Sequence, residues 1–359
     1  MTFEVMERNG DGQITAFCQI EGFEGHVHLR DKDATQAVAR FTAHQFGGAI
    51  VMPNLKPPVV NVKQALNYWA HIKRSLPEKQ RERFTAYMTL YLTDNTDPEE
   101  IRRAKEAGIL AVKYYPAGAT TNSAEGVSDI QKVYKVLETM QKEGVVLCAH
   151  GEVTDPEVDI FDREAVFIDK KLRKLRRDFP ALKMVLEHIT TKQGVQYVMS
   201  ADEFLAATLT CQHLLYNRNA LFTGGFQPHA YCLPVLKSEE HRQALVDAVT
   251  SGRCKRLFAG TDSAPHAAHL KEQAGGHAGC FTANAAMEHY TEVFDRAGAL
   301  EQLEAFTSFN GPDFYGIPRS ERVLMMEKKP WVIEEWFRFG ESVVKPFRGG
   351  QTIPWKHVN

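Results

Sequence analysis

Short apolar runs rich in β-branched residues recur along the chain, separated by longer stretches in which apolar positions return at helical spacing. The runs predict strands at residues 14–21 (running on toward His28), 48–52, 84–91, 111–115, 144–149, 183–187, 204–210 and 256–259. The intervening stretches predict helices at 35–46, 62–75, 97–106, 129–142, 163–177 and 239–251. Two of these helices announce their starts. Asp97-Pro98-Glu99-Glu100 supplies a capping side chain, a proline in the first turn and carboxylates at the positive end of the helix dipole, and Ser238-Glu239-Glu240 supplies a cap and two acids. Continuous apolar strands alternating with amphipathic helices describe a parallel sheet covered by helices. Eight such units over about 250 residues predict an α/β protein built as a (β/α)8 TIM barrel. A doubly wound open sheet is the alternative, but no G-x-G-x-x-G and no phosphate-binding loop follows the first strand.

Residues 320–359 depart from this alternation. A short apolar run at 322–326 is followed by Trp331, Trp336, Phe337, Phe347 and Trp355 in a segment punctuated by Pro and Gly. We read it as a C-terminal tail that packs back onto the barrel, so that residues 1–359 make one domain.

Composition narrows the function. Lys and Arg total 43 against 45 Asp and Glu, a formal net charge of −2. A reader of nucleic acid normally carries a basic excess, so nucleic acid is not expected as a partner. No apolar run approaches the roughly 18 residues needed to cross a bilayer, and residues 1–13 lack the apolar core of a signal peptide. The six cysteines include no C-x-x-C pair and are too sparse for a disulfide scaffold, so they are expected to be reduced. Together these features predict a cytoplasmic location.

The 14 histidines are more telling, because several stand where a strand should end. Barrel enzymes carry their chemistry at the C-terminal ends of the strands. Those ends read Gly25-His26-Val27-His28-Leu29-Arg30, Met52-Pro53-Asn54, Val112-Lys113-Tyr114-Tyr115-Pro116, Ala149-His150-Gly151-Glu152, Glu187-His188-Ile189-Thr190 and Gly260-Thr261-Asp262-Ser263-Ala264-Pro265-His266. Residues i and i+2 of a strand share a face, so His26 and His28 can point at one ion. Two such imidazoles, single histidines ending two other strands and a carboxylate ending the last form a donor set for a divalent transition metal. Taken singly, His150 or His188 could be an ordinary core histidine and Asp262 a helix cap. Their joint placement in strand order favours the metal.

Lys113 is the unusual member, since an ammonium is electrostatically wrong beside cations. Burial favours the neutral amine of a lysine, and a neutral amine adds CO2 to give an anionic carbamate able to bridge two metals. The alternative is a lysine that binds a phosphate or carboxylate. Arg30 follows His28 by two residues and its planar fork suits a carboxylate, although a salt bridge to Asp31 or Asp33 would also explain it.

H-V-H-L-R, M-P-N-L-x-P-P, K-Y-Y-P-A-G-A-T-T-N-S, A-H-G-E, L-E-H-I-T and G-T-D-S-A-P-H resemble the dihydroorotases of the amidohydrolase superfamily, in their shorter, single-function form. The resemblance runs from about Glu21 to Tyr315. It implies a (β/α)8 barrel with two zinc ions that interconverts N-carbamoyl-L-aspartate and L-dihydroorotate, the third step of de novo pyrimidine (UMP) biosynthesis, in a homodimer. By motif it implies that His26, His28 and Asp262 hold one zinc, that His150 and His188 hold the other, and that Lys113, as N6-carboxylysine, bridges both. Substrate contacts fall by the same resemblance on Arg30, Asn54, Leu233, His266 and Ala278, and Thr120 and Thr121 fall on a mobile loop. Departures are Phe23-Glu24-Gly25 before the first motif and His277, where relatives often carry cysteine.

A divalent ion polarises a carbonyl and lowers the pKa of water to about 7. Asp262 is the carboxylate at the right strand end to move the proton as general base and acid. Another cyclic-amide hydrolase, of hydantoinase or allantoinase type, is the alternative. It would share the metals but should lack the Arg30, Asn54 and His266 set and the Thr120-Thr121 loop.

Overall fold

The computed structural model describes residues 3–358. Strands β1 (Glu4–Arg8) and β2 (Ile14–Ile20) pair antiparallel. They are followed by β3 (Gly22–Val27), β4 (Phe46–Val51), β5 (Thr85–Tyr91), β6 (Ala111–Tyr114), β7 (Val146–His150), β8 (Met184–Glu187), β9 (Leu205–Leu209) and β10 (Leu257–Ala259). These eight lie side by side in chain order, all parallel, as a nearly closed (β/α)8 barrel. The seam between β3 and β10 closes just beyond the strand ends. There Asp262 N donates to His26 O at 2.9 Å and His28 N donates to Ser263 O at 3.1 Å.

Alternation explains why these runs make a barrel. Ala111, Val146, Cys148, Val185, Ala206 and Phe258 form an inner cluster with Phe23, Ile50 and Phe314. Their strand neighbours Val112, Leu147, Leu186, Ala207 and Leu257 belong to the larger outer cluster under the helices. Both faces are buried, hence the near-continuous apolar runs. Gly25 and Gly260 let the seam close: a Cβ on Gly25 would lie 2.6 Å from Ala259 O, and one on Gly260 would lie 2.6 Å from the Thr208 Cβ.

The predicted first strand divides in two. Residues 14–20 belong to a separate antiparallel sheet with β1, β11 (Val323–Glu327) and the short strand Lys356–His357, and the barrel begins only at Gly22. Apolar residues run across the junction, so hydrophobicity alone marks no break there. The break falls at Glu21, buried beside Arg322 and accepting from Ser320 Oγ at 2.9 Å. Through β11 the C-terminal segment lies against β2, and the fully buried Trp355 meets the Phe17 ring edge-on at 5.4 Å.

Among the helices, Val62–Ser75 starts and stops where predicted, with Asn61 Oδ1 accepting from Gln64 N at 3.0 Å. Asp97 caps Pro98–Glu106 through Glu99 N at 2.9 Å. The predicted 163–177 helix carries a wide turn at Ile168–Leu172. Helices Lys192–Ser200 and Ala286–Arg296 were not predicted. The second carries an apolar stripe of Ala286, Met287, Tyr290, Val293 and Phe294, but it also buries the polar Glu288, His289, Thr291 and Glu292. Distant partners help to satisfy its acids, Gln45 Nε2 donating to Glu288 at 2.7 Å and Arg348 Nη1 to Glu292 at 2.5 Å, while Glu292 also pairs with Arg296 one turn on.

Candidate metal centre

Strand parity delivers part of the site. Ala111, Cys148 and Val185 face the barrel interior, and two residues further along the same strands stand Lys113, His150 and Glu187, all buried at the mouth. His188 lies one residue off this parity. It reaches the mouth because its backbone turns into the left-handed region at φ 44°, as Asp262 does at 47° and Arg30 at 60°. Each such turn costs a non-glycine residue about 1 kcal/mol or more, and residues in such conformations gather at functional sites. Here Thr208 Oγ1 accepts from His188 N at 2.7 Å and Thr35 Oγ1 donates to Arg30 O at 3.0 Å, holding the turns.

The closed seam brings His26, His28 and Asp262 together. Asn54 Nδ2 donates to Thr121 O at 3.2 Å, so its Oδ1 faces His28 Nδ1 at 2.8 Å and accepts a hydrogen bond from it. Burial above all, partly offset by Asp262, pushes the His28 pKa down to about 4, leaving a neutral ring with a lone pair on Nε2. That lone pair lies 3.0 Å from Asp262 Oδ1 and 3.2 Å from His26 Nε2. His26 Nε2 is itself 3.2 Å from Asp262 Oδ1, while its Nδ1 lies 3.0 Å from Glu187 Oε1. Burial would raise the Asp262 pKa, but His26 and His28 outweigh it and hold the carboxyl well below the usual range.

Three electron-rich atoms thus converge with room for a cation. A proton on His26, whose pKa is raised by Glu187 and Asp262 against the effect of burial, would satisfy one of the three contacts. A divalent ion satisfies all of them, and tetrahedral ligands about 2.0–2.1 Å from zinc stand about 3.3 Å apart, close to the separations here. The residues fit a metal. His26, Glu187 and His188 form a second group whose ligand atoms lie within 4.8 Å of one another.

His150 and Lys113 stand outside both groups. His150 Nε2 pairs with Glu152 Oε2 at 2.8 Å, and its ring centroid is 4.8 Å from that of His188. His188 Nδ1 is buried without a partner, and burial, then His150 and Lys113, hold its pKa well below the ordinary value. The Lys113 ammonium contacts the Glu187 carboxylate and lies 4.7 Å above the Tyr115 ring. Burial opposes ionisation of Glu187, yet His26 and Lys113 bring its pKa down to about 2.

The remaining candidates ring the same mouth. Arg30, Asn54, Thr120, Thr121, Leu233, His266 and Ala278 line a cavity of about 20 Å3 together with the histidines and Asp262. Arg30 is half-buried, and desolvation lowers its pKa to about 10, leaving it cationic at pH 7. Thr121 Oγ1 donates to Ala278 O at 3.4 Å and Asn122 Nδ2 to Asn54 O at 3.1 Å, so the Thr120-Thr121 loop lies across the mouth. A cavity of about 840 Å3 elsewhere is larger, but it carries no such donor cluster, and its Arg242 and Arg348 already pair with Glu239 and Glu292.

Sequence reasoning missed Glu187 and Glu24. Glu187 was signalled by the parity of β8, which makes it the inward residue beside His188. Glu24 Oε1 accepts from His26 N at 3.0 Å and Thr261 N at 2.8 Å, tying the two halves of the seam. Burial raises its pKa to about 7. Nothing in the local sequence signals that role.

Comparison with known proteins identifies the family and the fold. The model of the amidohydrolase family matches residues 22–323. The dihydroorotase of Delftia acidovorans is 59% identical over 333 residues, 93% of this chain and 95% of that one. The dihydroorotase of Leptothrix cholodnii is 56% identical over 342 residues, 95% of this chain and 98% of that one. The crystal structure of Saccharomyces cerevisiae dihydroorotase in complex with 5-fluoroorotic acid superposes with a TM-score of 0.88 at 31% identity, covering 96% of this chain and 99% of that one. The L-hydantoinase of Arthrobacter aurescens shares the fold, with a TM-score of 0.79 at 14% identity over 97% of this chain and 84% of that one.

Proposed function

The chain belongs to the amidohydrolase family, and from that premise we infer that it is a dihydroorotase. It is a hydrolase of cyclic amides that interconverts N-carbamoyl-L-aspartate with L-dihydroorotate and water, a step of pyrimidine biosynthesis. The observation that carries the reading is a His26–His28–Asp262 cluster beside the half-buried Arg30 guanidinium, in a chain 59% identical to a dihydroorotase.

The family implies a metal cofactor. We assign two zinc ions, one held by His26, His28 and Asp262, the other by His150 and His188, with carboxylated Lys113 bridging. Bound there, the ions supply Lewis acidity at the reacting carbonyl and acidify water near neutral pH. In ring closure the terminal carbamoyl nitrogen attacks the side-chain carboxyl carbon. Asp262, ionised at neutral pH, takes the proton from that nitrogen and returns it to the departing oxygen. Because the substrate's side-chain carboxyl enters as a carboxylate, a second proton from solvent completes the water that leaves, and ring opening reverses these transfers. Glu187 Oε1 lies 3.0 Å from His26 Nδ1 in an ion-pair contact, and Asn54 Oδ1 accepts from His28 Nδ1, so both rings present Nε2 to the mouth. Arg30, with Asn54 and His266 beside it, receives the ring carboxylate, while Leu233 and Ala278 wall the ring.

We further propose that the chain works as one domain, residues 1–359 with 320–359 as its tail, in a cytoplasmic homodimer. The six cysteines are free, which suits a reducing compartment, and no helix among the described residues is long and apolar enough to cross a membrane.

Charge tests the substrate assignment. Truncating one partner of a buried, hydrogen-bonded ion pair costs about 2–5 kcal/mol. Arg30→Met is therefore expected to lower kcat/KM for L-dihydroorotate by about 30- to 5,000-fold while both metals stay bound. Dihydrouracil, the same ring without the carboxylate, should be a very poor substrate of the wild type and suffer no comparable loss. Equal losses on both compounds, or ready turnover of hydantoin, would favour the hydantoinase-type reading.

The loop gives a separate expectation. With about 20 Å3 of space beneath it, the mouth is too small for a six-membered ring and its carboxylate, so Thr120 and Thr121 must lift and close again around substrate. Thr120→Ala with Thr121→Ala should depress kcat at unchanged metal content. Wild-type kinetics in the double variant would reduce the segment to a connection.

A further inference from the structure

Arg30, His266 and His277 form a line of contacts running outward from the metal cluster. Arg30 Nε donates to Pro265 O at 2.8 Å, and Arg30 Nη2 lies 3.0 Å from His266 Nε2. His266 Nδ1 in turn lies 3.3 Å from His277 Nδ1, with ring centroids 4.9 Å apart and the planes at 89°. A guanidinium can only donate, so His266 Nε2 accepts. A neutral imidazole with a bare Nε2 carries its proton on Nδ1, and that proton faces His277 Nδ1, which must be the accepting nitrogen of its own ring. One arrangement of protons satisfies all three side chains. Both rings are held neutral: burial, then Arg30 and Lys271, lower the pKa of His266, and burial, then Lys56, Arg30 and Lys271, lower that of His277.

We propose that His277 is a positioning residue for recognition of the ring carboxylate: by accepting the Nδ1 proton of His266 it locks the tautomer whose Nε2 holds the Arg30 fork. With Nε committed to Pro265 and one Nη2 proton to His266, the Nη1 protons and the second Nη2 proton form the edge left for a carboxylate, which is the bidentate geometry. In the other tautomer His266 Nε2–H would face Nη2–H, two donors in contact, and the fork would turn away from the mouth. His266 lines the cavity and His277 stands behind it, so His277 acts through its neighbour. The inference rests on the reading of Arg30 as the carboxylate partner.

The test compares zinc-loaded wild type with His277→Leu, His277→Asn and Arg30→Met, measuring kcat and KM for L-dihydroorotate, Kd for 5-fluoroorotate and metal content. His277→Leu removes the acceptor from a buried donor and should raise KM and Kd by about 5- to 100-fold, with kcat within about twofold and the metals unchanged. His277→Asn, whose Oδ1 can accept in place of Nδ1, should stay within about threefold of wild type. Unchanged KM and Kd in His277→Leu would overturn the proposal, as would equal impairment of the Leu and Asn variants, the result of a merely packing role. If Arg30→Met raises KM while His277→Leu does not, only this inference fails. If Arg30→Met leaves KM and Kd unchanged, the carboxylate reading fails and this inference falls with it.

Discussion

Lys113→Ala is expected to remove nearly all turnover together with bound metal. The side chain is fully buried at the end of β6, between the Tyr115 ring and the Glu187 carboxylate. As an ammonium it would repel cations held by His26, His28 and Asp262. As a carbamate it would be an anion with two oxygens, able to bridge them. Removing a partner that only orients a metal ligand typically costs 10- to 100-fold, so loss of the bridge itself should exceed about 100-fold in kcat. Metal content should fall from close to two ions per chain in the wild type, and short-chain carboxylic acids should restore part of the activity by filling the space left by the side chain. Labelling the wild type with 13C-bicarbonate should give a carbamate carbon signal that is absent from the variant. Full activity and full metal content in Lys113→Ala would remove the bridge from the assignment.

The second large effect falls on Asp262. Asparagine keeps the size and one oxygen of the side chain but cannot take a proton, and loss of a general acid/base group typically costs 10²- to 10⁴-fold. Asp262→Asn should therefore cut kcat by about that factor in both directions of the reaction, with a larger loss if the metal bound by His26 and His28 also leaves. Measuring metal content beside kcat separates the two causes. Turnover within a few-fold of wild type, with the metals in place, would show that another group shuttles the proton. Glu187 would then be the first to examine, because His26 and Lys113 keep it ionised at the same mouth.

Much of this arrangement was legible before folding. The helix Val62–Ser75 could be read to its ends because its amphipathic spacing and the Asn61 cap are local properties. Seven of the eight barrel strands were visible as apolar runs near their observed places. The remaining one was merged with β2, because a buried strand of one sheet and a buried strand of the next look alike when only Glu21 separates them. Helix Ala286–Arg296 was missed although Ala286, Tyr290 and Val293 recur at helical spacing; its inward-facing Glu288 and Glu292 find Gln45 and Arg348, 243 and 56 residues away in sequence. Glu187 could have been found by counting two residues on from Val185. The role of Glu24, and the line from Arg30 through His266 to His277, had no local sign.

Residue types in order along the chain determine the alternation of strand and helix and the kinds of donor that end each strand, since periodicity, caps and side-chain chemistry act over a few residues. His26, His28, Lys113, His150, His188 and Asp262 could all be named on that basis. Which of their atoms meet is decided only by the tertiary structure. Closure of β3 on β10 is what sets Asp262 Oδ1 3.0 Å from His28 Nε2, and left-handed turns at Arg30, His188 and Asp262 are what swing those side chains into the mouth. Tautomers and ionisation follow from the same closure. They depend on which lone pair faces which proton across strands far apart in sequence, and on how completely water is excluded, and neither exists until the barrel has closed.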